Sequence, residues 1–147
     1  MDFTGKTVIV TGAGGGIGEG YAKACSDQGM NVVIAELNEE GGQRVAQEIN
    51  SSGGSALFVK TDVGSEESAK ACADATMESF GQINYLINNA AIFGDMKIEG
   101  YLNVDLDYLD KFMRVNMHGC LIMTRAVVEQ MTAAGGGAAS RGEEPPK

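Results

Sequence analysis

The chain has 147 residues, 44% of them hydrophobic, and a formal net charge of −9. That length suits one domain with a real core. The acidic balance, with no cluster of Lys or Arg, excludes nucleic acid and anionic membranes as expected partners, and no apolar run approaches the ~20 residues of a bilayer-spanning helix.

The N-terminus, MDFTGKTVIVTG, has no basic stretch followed by an apolar stretch and a small-residue cleavage site, so a cytoplasmic protein is expected. Thr7–Val10 is a β-branched run and reads as a first strand. Ile17–Gln28 has a helical pattern, with Ile17, Tyr21, Ala24 and Cys25 on one face, and Gly29 closes it. A second strand, Asn31–Ala35, a helix from about Glu39 to Asn50 and the turn SSGG follow. Ala56–Val59 is a third strand. Ser65–Phe80 is a third helix, with Ser65 as N-cap and Glu66 and Glu67 at its positive end. Ile83–Ile87 is a fourth strand. Residues 105–133 form one helical stretch, about 43 Å long at ~1.5 Å per residue, with Leu109, Phe112, Met113, Cys120, Met123 and Val127 at helical spacing. Beyond it, GGGAASRGEEPPK has no periodicity and reads as a disordered tail over residues 135–147.

Alternating strands and helices predict parallel βαβ units, and near-continuous apolar strands predict a sheet covered on both faces. The expected fold class is α/β: an incomplete, doubly wound Rossmann-type sheet of four parallel strands in order 3-2-1-4 plus one long helix, over residues 1–134. The three cysteines, Cys25, Cys72 and Cys120, are expected to be buried or half-buried reduced thiols. With a single His, no metal site can be assembled at known spacings.

The stretch TGAGGGIG, residues 11–18, follows the first strand and opens a helix. A helix N-terminus carries unpaired N–H groups and partial positive charge, and glycines let the backbone approach a pyrophosphate where a Cβ would collide. Alone, such a stretch also fits a flexible turn. Glu36 ends the second strand, where an acid can accept hydrogen bonds from a ribose, and Asp62 follows the third strand. Each acid alone fits a solvated loop or a helix cap equally well. Together with Gly12 and Asn88, they gather at the carboxyl ends of the strands, where open α/β sheets bind ligands.

On these residues the chain resembles the short-chain dehydrogenases/reductases. Thr11, Gly12, Gly16 and Gly18 match the family's TGxxxGxG, Asp62–Val63 its Asp-Val, and Asn88–Asn89–Ala90–Ala91 its NNAG with Ala in the last place. Asn116, followed by Gly119, matches its active-site Asn. The resemblance implies a nicotinamide cofactor and hydride transfer between it and an alcohol/carbonyl pair. It implies that Gly12, Gly16, Ile17 and Gly18 cradle the pyrophosphate beside Thr11, that Glu36 binds the adenosine ribose, and that Asp62 and Val63 flank the adenine. Asn89 and Ala90 would line the nicotinamide side, and the loop Ile92–Val104 part of a substrate wall. Glu36 implies NAD over NADP, because a carboxylate beside a 2′-phosphate sets like charges together and no basic residue lies in the glycine loop or directly after Glu36.

The family's chemistry also needs a Tyr with a Lys four residues later and an upstream Ser. The residues four places after Tyr21, Tyr85, Tyr101 and Tyr108 are Cys25, Asn89, Asp105 and Phe112, so no YxxxK exists. The match breaks off near Gly137. The chain is therefore expected to be an N-terminal part that keeps a dinucleotide site, lacks turnover, and meets a small alcohol or carbonyl substrate only if completed. Of the family's tetrad it holds Asn116 alone, expected as a satisfied core amide bonded to the fourth strand; His118 is assigned no role. A non-catalytic interaction module, or an inactive fragment of an ordinary enzyme, are the other readings. Self-association is expected through the long helix or the open edge of the fourth strand.

Overall fold

The computed structural model describes residues 2–94, 96–100 and 102–135. Four strands form one parallel sheet: β1 (Thr7–Thr11), β2 (Asn31–Glu36), β3 (Ser55–Lys60) and β4 (Tyr85–Ile87), in the order β3-β2-β1-β4. Val8 pairs with Val32 and Tyr85, and Glu36 with Lys60. Side chains alternate across β1 and β2, so each face has its own core. Val8, Val10, Val32 and Ile34 pack with Ala22, Val45 and Ile49 of helices α1 (Gly16–Asp27) and α2 (Glu39–Ser51). Ile9 and Val33 pack on the other face with Ala69, Cys72 and Ala73 of α3 (Glu66–Phe80) and with Met123 and Val127.

The helix starts follow local chemistry. Asn38 accepts a hydrogen bond from Gly41 N (3.2 Å) at the head of α2, and Ser65 accepts one from Ser68 N (3.2 Å) at the head of α3. Gly81, at φ 70°, ends α3 in the left-handed conformation. Every buried side-chain N or O among the described residues has a partner. No helix of the described residues is long and apolar enough to cross a membrane.

Four expectations are corrected. The face of α1 that packs is Gly18 and Ala22, not Ile17, Tyr21 and Ala24. Ile17 is 72% exposed. The closest approach is at Gly18, against the Gly12 carbonyl and the Asn89 side chain just beyond the strand ends, and a helix turned by that contact swings Ile17 and Tyr21 outward. The fourth strand is shorter than Ile83–Ile87 because Asn84 intervenes: its side-chain Oδ1 accepts the Thr7 N–H at 2.7 Å while its own N–H donates to Thr7 O at 2.9 Å.

The third correction concerns the long helix, which is helical throughout but not of one kind. It comprises α4 (Leu106–Met113), a π-helical turn (Arg114–His118) and α5 (Gly119–Ala133). A wider turn offsets the residues next to it. Gly119, Ile122, Met123 and Val127 face inward, and Cys120 is exposed rather than on the apolar stripe. Fourth, the thiols are therefore of three kinds: Cys72 buried, Cys25 half-buried and Cys120 exposed. Burial pushes the Cys72 and Cys25 thiols up from their ordinary value. The expected tail lies outside the described residues, apart from Gly135.

Candidate functional site

The carboxyl ends of the strands open on a cleft of about 870 Å³, within the ~300–1,000 Å³ usual for ligand sites. Its walls include Gly12, Gly14, Glu36, Asp62, Val63, Asn89 and Ala90, so residues from four separate strand ends meet in one place.

The glycines are set by what surrounds them. Gly12 has φ 66°, and a Cβ there would lie 2.7 Å from Ala90 Cα. A Cβ on Gly18 would lie 2.1 Å from the carbonyl oxygen of Gly12. The backbone on either side of the loop thus fills the space that a side chain would take. Gly16 has φ 56° but open space beside it, and neither it nor Ile17 lines the cleft.

Thr11 is buried and does its bonding internally. Its hydroxyl accepts from Asn89 N (2.9 Å) and Ala90 N (3.0 Å) and donates to Ile87 O (3.2 Å). Asn89 returns the contact, its Nδ2 donating to Thr11 O (3.0 Å) and Gly12 O (3.1 Å). The segment after β4 is thereby tied to the end of β1 and the start of the glycine loop by four hydrogen bonds.

Glu36 leaves β2 into the cleft. Its Oε2 accepts from Gly14 N and its Oε1 from Asn38 N, each at 2.9 Å. A carboxylate offers about four acceptor sites, so each oxygen keeps one for a ligand. Asp62 Oδ1 accepts from Gly64 N (2.8 Å), and its own N–H donates to Ser68 Oγ (2.9 Å). Val63 is buried against Gly119, where a Cβ would stand 2.9 Å from Val63 Cγ2.

Asn116 sits in the π turn. Its Oδ1 accepts from Ile92 N (2.8 Å) and its Nδ2 donates to Ile92 O (3.1 Å). The partner is therefore the segment beyond β4 rather than β4 itself. The wider turn brings the amide to that backbone while Gly119 still reaches Val63. His118 is exposed on the same turn.

Sequence reading missed three cations. Lys111 and Arg114 line the cleft from the long helix, and Arg114 Nε donates to Gly64 O at 2.6 Å. Their spacing of three, just before Asn116, was the available signal. Arg44, on α2, donates from Nη2 to the carbonyl of Gly14 at 3.2 Å. Nothing local in the sequence marks that contact, which joins residues 30 apart. A second hollow of about 870 Å³ lies away from the strand ends, along α1 and α2 toward their C-termini, and its Lys23 and Arg44 are already paired with Glu19 and Glu48.

Comparison with known proteins bears on what such a cleft does. The family model described as short chain dehydrogenase matches residues 6–139. An uncharacterized oxidoreductase of Mycobacterium tuberculosis is 50% identical over 136 residues, which cover 92% of this chain and 55% of that protein. The crystal structure of NAD+-bound xylitol dehydrogenase superposes with a TM-score of 0.85 at 28% identity, over 93% of this chain and 52% of that one. The 3-ketoacyl-(acyl-carrier-protein) reductase from Brucella melitensis, complexed with NADH, gives a TM-score of 0.83 at 34% identity, over 90% of this chain and 52% of that one. The chain spans about half the length of the curated relatives it matches.

Proposed function

The chain belongs to the short-chain dehydrogenase family, and on that footing we propose that its cleft binds NAD(H) in preference to NADP(H) and that the chain alone does not turn over. One observation carries the preference: the Glu36 carboxylate, held at the cleft wall by Gly14 N and Asn38 N with acceptor capacity to spare. A ribose diol can donate to it, whereas a 2′-phosphate would bring like charge against it. Lys111 and Arg114 line the same cleft from the helix side and are the groups that would oppose this preference.

The residues fit a dinucleotide. Gly12 and Gly18 let the loop pack against Ala90, Asn89 and its own backbone where a Cβ would collide, which holds the tight turn from β1 into α1. In this reading the loop from Gly12 through Gly16, Ile17 and Gly18 holds the pyrophosphate. Thr11 holds the loop, Asp62 and Val63 take the adenine end, and Asn89 and Ala90 the nicotinamide end. A bound nicotinamide supplies a hydride acceptor or donor. The chain's own residues bind and orient it, and Asn116 keeps the Ile92 segment against the long helix. No Tyr in the sequence has a Lys four places later. The proton step therefore lacks the family's Tyr–Lys pair as acid and base, a contribution of ~10²–10⁴-fold. The substrate class, should the missing groups be supplied, is a small alcohol or carbonyl compound. The NAD+-bound and NADH-complexed neighbours support the cofactor.

Calorimetric titration with NADH and NADPH tests the preference. Tighter binding of NADH is expected, and equal or tighter binding of NADPH would overturn it. Absorbance of the reduced cofactor with a panel of alcohols and ketones tests turnover. A flat trace is expected, and turnover that disappears in Gly12→Val would overturn the second half of the proposal.

A further inference from the structure

We propose that Arg44 is a positioning residue for the glycine loop, which sets the direction of the Gly15 N–H without touching a ligand. The inference rests on the reading of the cleft as a nucleotide site. Arg44 Nη2 donates to the Gly14 carbonyl at 3.2 Å. Arg44 does not line the cleft, whereas Gly14 and Gly15 do. The carbonyl it holds is thus drawn to the outer side of the loop. All described peptide bonds are trans, so the N–H of Gly15 points opposite to that carbonyl. Holding one end of the peptide outward turns the other end toward the cleft.

The guanidinium is itself fixed. Its Nη2 also donates to Glu19 Oε2 (2.7 Å) and its Nη1 to Glu48 Oε1 (2.8 Å) and Glu19 Oε1 (3.2 Å). Glu19 lies in the first turn of α1, the helix the loop feeds, and Glu48 lies on α2. The planar fork spans the two helices and the loop between them, which a lysine's point charge cannot do in the same geometry. Two further contacts fix Gly14, one on the preceding Ala13–Gly14 peptide and one on the carbonyl itself. Gly14 N donates to Glu36, and a Cβ on Gly41 would lie 2.7 Å from Gly14 O, so the head of α2 packs directly on that carbonyl. Gly14 is therefore gripped at its N–H by the ribose-binding candidate and at its carbonyl by Arg44. Among the described residues, Lys23 joins the same two carboxylates (2.6 and 2.7 Å) without a hydrogen bond to the loop, which makes it the natural control.

The experiment compares Arg44→Met, Arg44→Lys and Lys23→Met with the wild-type chain in two ways. Amide hydrogen exchange, without any ligand, should speed up at Gly14 to Gly16 in Arg44→Met, recover in part in Arg44→Lys, and stay unchanged in Lys23→Met. Calorimetry with ADP and with adenosine should show Arg44→Met weakening ADP by about tenfold and leaving adenosine unaffected, because the pyrophosphate is what the loop N–H groups meet. Equal weakening of both ligands, or the same losses in Lys23→Met, would reduce Arg44 to one member of a surface ion cluster and overturn the proposal. Should the wild-type chain bind neither ADP nor NADH, the nucleotide reading falls, and the exchange rates still decide for or against Arg44.

Discussion

Between Thr7 and Glu36 the backbone is packed so closely that Gly12 and Gly18 have no room for a methyl group. Between Ile92 and Asp105 every described side chain except Ile92 and Val104 is exposed, with Phe93 79% and Leu102 90% accessible. Both regions border the same cleft. The first is specified by buried strands and by backbone fitted against backbone. The second is held by a few polar contacts: Asn116 on Ile92, Tyr108 Oη accepting from Lys97 N (3.0 Å), and Glu99 Oε2 accepting from Asp105 N (3.2 Å). A close-packed segment opens only with the domain, whereas one with few buried contacts opens locally. The glycine-loop end of the cleft is thus built into the fold, and the end bordered by residues 92–104 is lightly attached to it.

The comparison breaks most readily at Gly18. Gly18→Ala drives a Cβ into the Gly12 carbonyl, and backbone can move less than a flexible side chain. A loss of about 3 kcal/mol is expected, the upper end of the usual cost of overpacking. Urea unfolding measures it, and a loss below about 1 kcal/mol would mean that the loop is loose. Next in size is Asn116→Leu, which leaves the half-buried N–H and carbonyl of Ile92 without partners. About 2 kcal/mol is expected. Amide exchange should rise through residues 92–104 and stay slow in β1 and β2; a uniform rise would erase the distinction between the regions.

A smaller effect is expected at the N-cap of α3, outside both regions. Ser65→Ala removes the bond to Ser68 N and should cost about 1 kcal/mol in thermal unfolding. The smallest is a pH effect on the α1–α2 face. Hydrogen bonds from Arg44 and then Lys23 hold the Glu19 carboxyl down from the ordinary 4.5 to about 2. A lowered folded-state pKa adds stability above the unfolded value, and that stability is lost as pH falls through the folded one. The melting-temperature advantage of the wild-type chain over Glu19→Gln should therefore be steady above pH 4.5 and shrink toward pH 2. The partners are solvent-exposed, so the advantage is modest and weakens with salt.

Strand positions and the glycine loop were legible in the sequence because each is a local signal, and the strand order followed from the few topologies that right-handed crossovers leave together with the family resemblance. Apolar runs such as TVIV and NVVIA mark buried parallel strands, and Gly-rich punctuation between strand and helix marks a turn with a purpose. The π turn was not legible. A 3.6-residue period read through Arg114–His118 misses the local offset there, so Cys120 was placed inward and Gly119 was not, whereas Met123 and Val127 are buried as the stripe expected. The inward face of α1 was misjudged for a related reason: the deciding contact is the absence of a side chain at Gly18, and hydrophobicity alone points to Ile17. Arg44, Lys111 and Arg114 escaped because their positions follow from how helices dock on the sheet. Asn116 was found, but its partner on the segment after β4 depends on that same docking.

The most direct test is an ¹⁵N-correlation spectrum of the chain titrated with NADH. The predicted outcome is that amides at Gly12, Gly14 to Gly16, Gly18, Glu36, Asp62, Val63, Asn89 and Ala90 shift along one binding curve, while those of Ser26, Gly53 and Gly54, at the second hollow, do not move. Shifts centred on that second hollow or on the outer face of α5, or no shifts at all at saturating NADH, would contradict a nucleotide site built from the strand ends.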